Sequence, residues 1–328
     1  MTETTPQQAT VRRAVELACR APSLHNSQPW RWVNEGSTLH LFADLTRTMT
    51  AADPQGREVY LSCGAVLDHL VTAMASEGWH SSVDRFPDPH DPFHVASLQF
   101  SWASDELTET FVSRALAILE RRTDRRPFDT PPDWEDLDVQ LRLTVIPYHI
   151  MFDTVLTNAR PQLAEASRLT EAIRQNDPSY EAELTWWASS SVIDEGLPST
   201  LLMSPASPGR VDVARTFPAA SYGPQKDSGA IDHSKIVVLS TLHEDARLEV
   251  LRCGEALSAV LLDCTAKRMA TCTLTHMTEL AQSREIVRQL IGQRGLPQVL
   301  IRIGQTPQNG EVITTPRRPL AEVLEFRN

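Results

Sequence analysis

Arg57-Glu58-Val59-Tyr60-Leu61-Ser62-Cys63-Gly64-Ala65-Val66-Leu67 returns 190 residues later as Arg247-Leu248-Glu249-Val250-Leu251-Arg252-Cys253-Gly254-Glu255-Ala256-Leu257. Arginine, two leucines, cysteine and glycine keep their places. Agreement at a fixed offset is the mark of an internal repeat, and it predicts two related halves, each built around a long helix. The first such helix is expected from about Arg57 to Glu77. The competing reading is two ordinary buried helices that share a pattern.

Outward from this pair the sequence alternates helical and extended patterns. Val11, Ala14, Val15, Ala18 and Cys19 recur at helical spacing over Val11 to Arg20, and Pro22 ends the helix. Trp30 to Val33 and Leu39 to Ala43 flank Glu35-Gly36-Ser37 as two strands joined by a turn. The proline-rich run from Pro87 to Pro92 is a loop, and Phe93 to Ser101 alternates as a strand. A helix from about Asp105 carries Leu107, Phe111, Ala115 and Leu119 into a basic run, so the division between halves is expected near residue 104, giving 1–104 and 105–328.

In the second part, a helix is expected around Pro161 to Gln175, with strands at Lys235 to Ser240 and Gln298 to Ile303. The fold class is therefore α+β (α/β). Between them, about Asp194 to Asp232 is rich in proline, serine and glycine without periodicity. So long an irregular segment inside a compact domain is typically a lid, a binding loop or a disordered insert, and a cover over a site is expected here.

With 328 residues, a net charge of -11 and a pI near 5.4, the chain can build sizeable cores, while its field disfavours nucleic acid and acidic membrane surfaces. Any anion site must be a local basic cluster. The longest apolar stretches are interrupted by charged or polar residues, and MTETTPQQ lacks the features of a signal peptide, so no membrane span and a cytoplasmic location are expected. Cys19, Cys63, Cys253, Cys264 and Cys272 form no C-x-x-C pair, which points to buried apolar roles instead of disulfides or zinc. His90 and His94 have the spacing of a helical metal pair but sit among prolines, and read as a solvated loop.

No dinucleotide-binding glycine motif, Walker A motif, nucleophile elbow or H-E-x-x-H is present. Three polar clusters remain. Ala21-Pro22-Ser23-Leu24-His25-Asn26-Ser27-Gln28-Pro29-Trp30 gathers a hydroxyl, an imidazole and two carboxamides at a helix exit. Amides both donate and accept, which suits the pyrimidine edge of a flavin or purine; alternatively they satisfy a turn's own backbone. Arg121-Arg122-Thr123-Asp124-Arg125-Arg126 and Thr314-Thr315-Pro316-Arg317-Arg318-Pro319 concentrate cations in an acidic chain. Guanidinium forks fit phosphate oxygens, so the two segments could jointly hold a phosphomonoester; singly, each is a solvated charged face.

RAPSLHNSQPW followed by a strand resembles the turn beneath the flavin in the FMN-dependent nitroreductase family. Arg121-Arg122-Thr123-Asp124-Arg125 is similar to that family's phosphate-binding segment, and Thr315-Pro316-Arg317-Arg318-Pro319-Leu320 to its C-terminal basic segment. The order of the first two is reversed relative to an ordinary member. This resembles the Acg-type mycobacterial branch, in which two nitroreductase-like halves fuse into an internal dimer, and the likeness spans essentially the whole chain.

The resemblance implies one FMN per chain, in a monomer acting as its own dimer. Ser23, His25, Asn26 and Gln28 would face the ring and ribityl chain, while Arg121, Arg122, Thr123, Arg125, Arg317 and Arg318 would hold the phosphate. The backbone around Thr273 to His276 would approach flavin N5, with Thr275-His276 standing where ordinary members carry Glu-Gly. The implied activity is NAD(P)H-dependent reduction of nitro compounds or quinones with restricted access to the flavin. The alternative is a protein that sequesters or stores FMN, the irregular segment closed over the ring with Trp186, Trp187, Phe217 and Tyr222 as aromatic candidates for the cover.

Overall fold

The computed structural model describes residues 5–103, 108–188, 196–198, 202, 211–217, 231–243, 246–306 and 315–327, excepting the side chains of 108–110. Most of the expected cover, Tyr222 and Thr314 lie outside the described residues.

The chain opens with α1 (Gln8–Ala18), β1 (Trp30–Glu35), β2 (Thr38–Ala43), α2 (Arg57–Ser76), β3 (Trp79–Arg85) and β4 (His94–Trp102). After α3 (Thr108–Glu120) the same succession recurs with an insertion: α4 (Trp134–Val145), β5 (Met151–Thr154), then α5 (Arg160–Arg174) and α6 (Pro178–Trp187), then β6 (Lys235–Thr241), α7 (Arg247–Ala266) and β7 (Ala270–Leu274). Two short helices, α8 (His276–Glu279) and α9 (Ala281–Leu290), precede β8 (Leu296–Gly304), and the chain closes with α10 (Leu320–Val323) and β9 (Leu324–Arg327).

The two sheets share one strand order. The first runs β3-β4-β2-β1 and the second β7-β8-β6-β5, every one of these neighbours antiparallel. Even the irregularities correspond: register shifts between Leu41 and Phe42 in β2, and between Leu239 and Ser240 in β6. The first sheet gains one strand, because β9 pairs in parallel with β1. Residues near the C-terminus are thereby built into the sheet formed by residues before 104.

The paired helices α2 and α7 meet through their glycines. A Cβ added to Gly64 would lie 2.8 Å from Gly254 Cα, and one added to Gly254 would lie 2.9 Å from Gly64 Cα. The carbonyl of Leu251 is the nearest obstacle to the first, and that of Leu61 to the second. Each contact is repeated with the roles exchanged, the signature of a self-complementary, two-fold interface. Glycine is needed here because only its missing side chain lets two helix backbones touch.

By length and apolar character α2 could cross a bilayer, but its apolar window is 78% buried within the protein. Leu61, Val66, Leu67 and Leu70 of α2 share one core with Leu251, Val260 and Leu261 of α7. All five cysteines are buried and free.

Candidate functional site

The turn after α1 is strained. Arg20 and Ala21 continue the helical hydrogen bonding to Leu17 and Ala18, and Pro22 then has no N–H to extend it. His25, Asn26 and Gln28 follow with φ of 47°, 59° and 51°, a left-handed cluster without a glycine. Such geometry is uncommon and concentrates at functional sites when the surroundings enforce it. Here they do: Ser23 Oγ accepts from the Gln28 amide at 3.0 Å, and Ser62 Oγ of α2 accepts from Leu24 N at 3.3 Å.

The carboxamides are engaged by the turn and its neighbours. Asn26 Nδ2 donates to the carbonyls of Gly196 (3.1 Å) and Pro316 (3.0 Å), and its Oδ1 accepts from Arg317 at 3.1 Å. Gln28 is fully buried, with Oε1 accepting the Arg318 amide at 2.9 Å. In this structure both amides fasten the turn to the C-terminal segment, and Asn26 also borders the basic side of the cleft. Ser23 and His25 do line the cleft.

Two adjoining openings make up the site. One, with about 920 Å³ of free space including its mouth, is bounded by Pro22 to His25, by Glu58, Leu61 and Ser62 of α2, by Leu257 of α7, and by Cys272 to His276. Ala214, Arg215 and Phe217 of the insertion close its remaining side. The other is lined by Arg20, Asn26, Arg121, Arg122, Arg125, Thr315 and Arg317. Pro22, Ser23, His25, Thr123 and Arg125 border both, so an apolar slot runs continuously into a basic recess.

The recess is lined by five arginines and one acidic residue, Glu120. The carbonyl oxygen of Arg20 accepts from Arg121 (3.2 Å) and Arg317 (3.0 Å), drawing three arginines to one point. Among the described residues none of Arg20, Arg121, Arg125 and Arg317 has an ion-pair partner, and the buried Nε atoms of Arg20, Arg121 and Arg317 have no hydrogen-bond partner. Burial, with Arg121 and Arg20 adjacent, pushes the Arg317 guanidinium down to about 9. Burial and Arg20 bring Arg121 down to about 10. Clustered buried charge of one sign is tolerated where an opposite charge is to be bound. The residues therefore fit a phosphate dianion.

Arg318 lies outside the recess and Arg122 at its rim. Arg318 Nη1 donates to the carbonyls of Gln28 and Trp30, both at 3.2 Å, and the side chain pairs with Asp44 at 3.4 Å, outside the recess. It braces the turn from behind. Arg122 is exposed at the rim, where it also borders a neighbouring surface opening.

At the other end, Arg215 spans the slot. Its guanidinium pairs with Glu279, donates to Tyr180 Oη at 2.6 Å, and reaches His25 Nε2 at 3.4 Å and Thr275 Oγ1 at 3.3 Å. Phe217 meets the His25 ring edge-on at 5.8 Å. Trp187 is buried with Tyr180, Leu184 and Phe217, whereas Trp186 is 62% exposed. On the slot floor, Glu58 pairs with Arg57, yet burial pushes its carboxyl up to about 7. Arg20, Glu58 and Arg215 were not legible as site residues. Arg20 is the first residue of the motif RAPSLHNSQPW, and that place was the one available signal.

Sequence comparison gives the family and the branch. The chain belongs to the nitroreductase family, with the Acg proteins of mycobacteria. It is 51% identical to "Putative NAD(P)H nitroreductase acg" of Mycobacterium tuberculosis over 97% of this chain and 96% of that protein. An uncharacterised M. tuberculosis protein is 49% identical over 97% of this chain and 93% of its own length. A further M. tuberculosis protein, named "Putative NAD(P)H nitroreductase", is 35% identical over 98% of this chain and 92% of its own. A nitroreductase crystal structure from Anabaena variabilis aligns with 90% of this chain and 73% of its own, at 9% identity and a TM-score of 0.46. No family model matches the chain. Membership in the family implies a flavin cofactor.

Proposed function

We propose that the chain binds one FMN, with its phosphate in the arginine recess and its ring in the adjoining slot, and acts as an NAD(P)H-dependent reductase of nitro compounds or quinones with restricted access to the ring. The observation that carries the reading is the cluster of Arg20, Arg121, Arg125 and Arg317, without an ion-pair partner among the described residues, beside the adjoining slot. A flavin, when bound, supplies the electron-transfer chemistry. The chain's own contribution is to neutralise a phosphate, hold the ring between the strained turn and the Thr273–His276 segment, and limit entry.

The shared strand order and the reciprocal glycine contact support reading the chain as two related halves forming an internal dimer in one monomer. They also support a single cofactor. At the position related to the slot, Arg85 pairs with Glu255 at 2.6 Å, and Tyr148 Oη donates to Asp68 at 2.7 Å, so polar side chains fill the space.

A second reading, sequestration of FMN with little turnover, is favoured by Arg215 and Phe217. Both come from the insertion, line the slot, and reach His25. Anaerobic mixing with NADH or NADPH separates the readings: rapid bleaching of the flavin supports reduction, whereas a yellow protein reduced by dithionite but by neither nicotinamide supports sequestration. Protein that remains colourless after incubation with FMN would overturn both.

A further inference from the structure

His276 carries an unexplained polar atom. It follows β7, stands in the slot wall beside Thr275, and is 1% exposed. Its Nε2 lies 2.8 Å from Ser167 Oγ of α5, while Nδ1 is buried without a partner among the described residues. An unsatisfied buried polar atom is costly, so one on a residue of a cavity wall calls for a partner the protein does not itself supply. Burial, with Arg215 adding its charge, holds the imidazole well below its usual pKa, so it is neutral at physiological pH.

The serine governs which proton the ring carries. Ser167 Oγ can donate to His276 Nε2, or it can accept the ring's N–H while turning its own hydrogen to the Ala214 carbonyl, 3.5 Å away. In the first arrangement Nδ1–H is a donor, and in the second Nδ1 is an acceptor. A rotating hydroxyl thus lets one buried atom present either polarity. The polar edge of a flavin asks for this, since its central nitrogen accepts when oxidised and donates when reduced.

We propose that His276, positioned by Ser167, is the side chain that hydrogen-bonds the polar edge of the bound flavin ring through Nδ1. The assignment rests on the flavin reading of the slot. It makes His276 a direct contact and Ser167 a positioning residue that acts through it.

The test combines FMN titration by fluorescence quenching with the midpoint potential of the bound flavin, for wild type, His276→Phe, His276→Asn and Ser167→Ala. Phenylalanine keeps a ring-sized volume without nitrogens, and asparagine restores a polar atom near Nδ1. His276→Phe should weaken FMN binding about tenfold, and His276→Asn should recover most of that loss. Ser167→Ala should leave oxidised FMN binding within about threefold but shift the potential by about 30 mV, a tenfold change in relative affinity for the two redox states of a two-electron couple. If wild type binds FMN and a folded His276→Phe matches its affinity and potential, the proposal fails while the flavin reading stands. Should His276→Phe not fold, an unchanged potential in Ser167→Ala overturns the proposal. Wild-type protein that takes up no FMN overturns both.

Discussion

Arg121 and Arg317, far apart in sequence, donate to the same acceptor, the carbonyl oxygen of Arg20, at 3.2 and 3.0 Å. Two buried guanidiniums converging on one oxygen repel each other until an anion arrives. Inorganic phosphate alone should therefore raise the melting temperature, by the equivalent of about 2.7 kcal/mol at a hundredfold excess over Kd. Arg121→Met removes one charge at the loss of a single hydrogen bond, so it should leave the ligand-free protein at least as stable as wild type, abolish the phosphate effect and weaken FMN retention. A melting temperature insensitive to phosphate in wild type would contradict the assignment. Arg318→Ala is the contrasting variant: it should lower the melting temperature with or without phosphate, because Arg318 braces the Gln28 turn.

The arginine latch across the slot gives a kinetic expectation. Glu279→Gln removes the carboxylate that pairs with Arg215 while keeping the side chain's size. Stopped-flow reduction by NADPH should quicken about tenfold if this ion pair limits entry, as loosening a lid does when opening is slow. Equal rates would show that Arg215 does not gate the slot.

Glu58 supplies a dependence on pH. Its folded pKa of about 7 lies above the unfolded value of about 4.3. While both states are protonated the group adds no penalty; as pH rises from about 4.5 to about 7 the unfolded carboxyl gives up its proton while the folded one retains it, and stability falls by up to about 3 kcal/mol. Glu58→Gln should escape this loss, so the two melting curves should diverge between pH 5 and pH 8. Parallel curves would mean that Arg57 fully compensates the charge.

At the helix crossing, Gly64→Ala pushes a methyl group against the backbone of α7. Neither helix can yield without disturbing the shared core, so a loss of about 3 kcal/mol is expected. For a chain of 328 residues that corresponds to roughly 4 °C in melting temperature. Gly254→Ala should match it, since the contact is reciprocal; clearly unequal losses would contradict the two-fold geometry.

Much of this was legible because the signals were local. The Cys-Gly pattern in α2 and α7, the Pro22 to Trp30 turn and the arginine run each occupy a dozen residues or fewer. Strands such as Met151–Thr154 and Leu324–Arg327 are only four residues long and show no period to read. The bonds that Asn26 and Gln28 make within the protein were not legible for another reason. A carboxamide that recognises a ligand and one that satisfies its own strained turn are the same residue in sequence, and the difference lies in φ. Arg215 was hidden by distance, its contact with His25 bridging 190 residues.

The bond between Asn26 and Arg317 joins positions 291 residues apart, and β9 beside β1 closes the same circuit. Contacts of that separation are entropically the last to be rewarded as a chain collapses. The two sheets can form from nearby segments, but the recess exists only after the circuit closes. Loading of the cofactor is consequently a late event in folding, and a chain arrested before closure would be largely structured yet unable to take up its ligand.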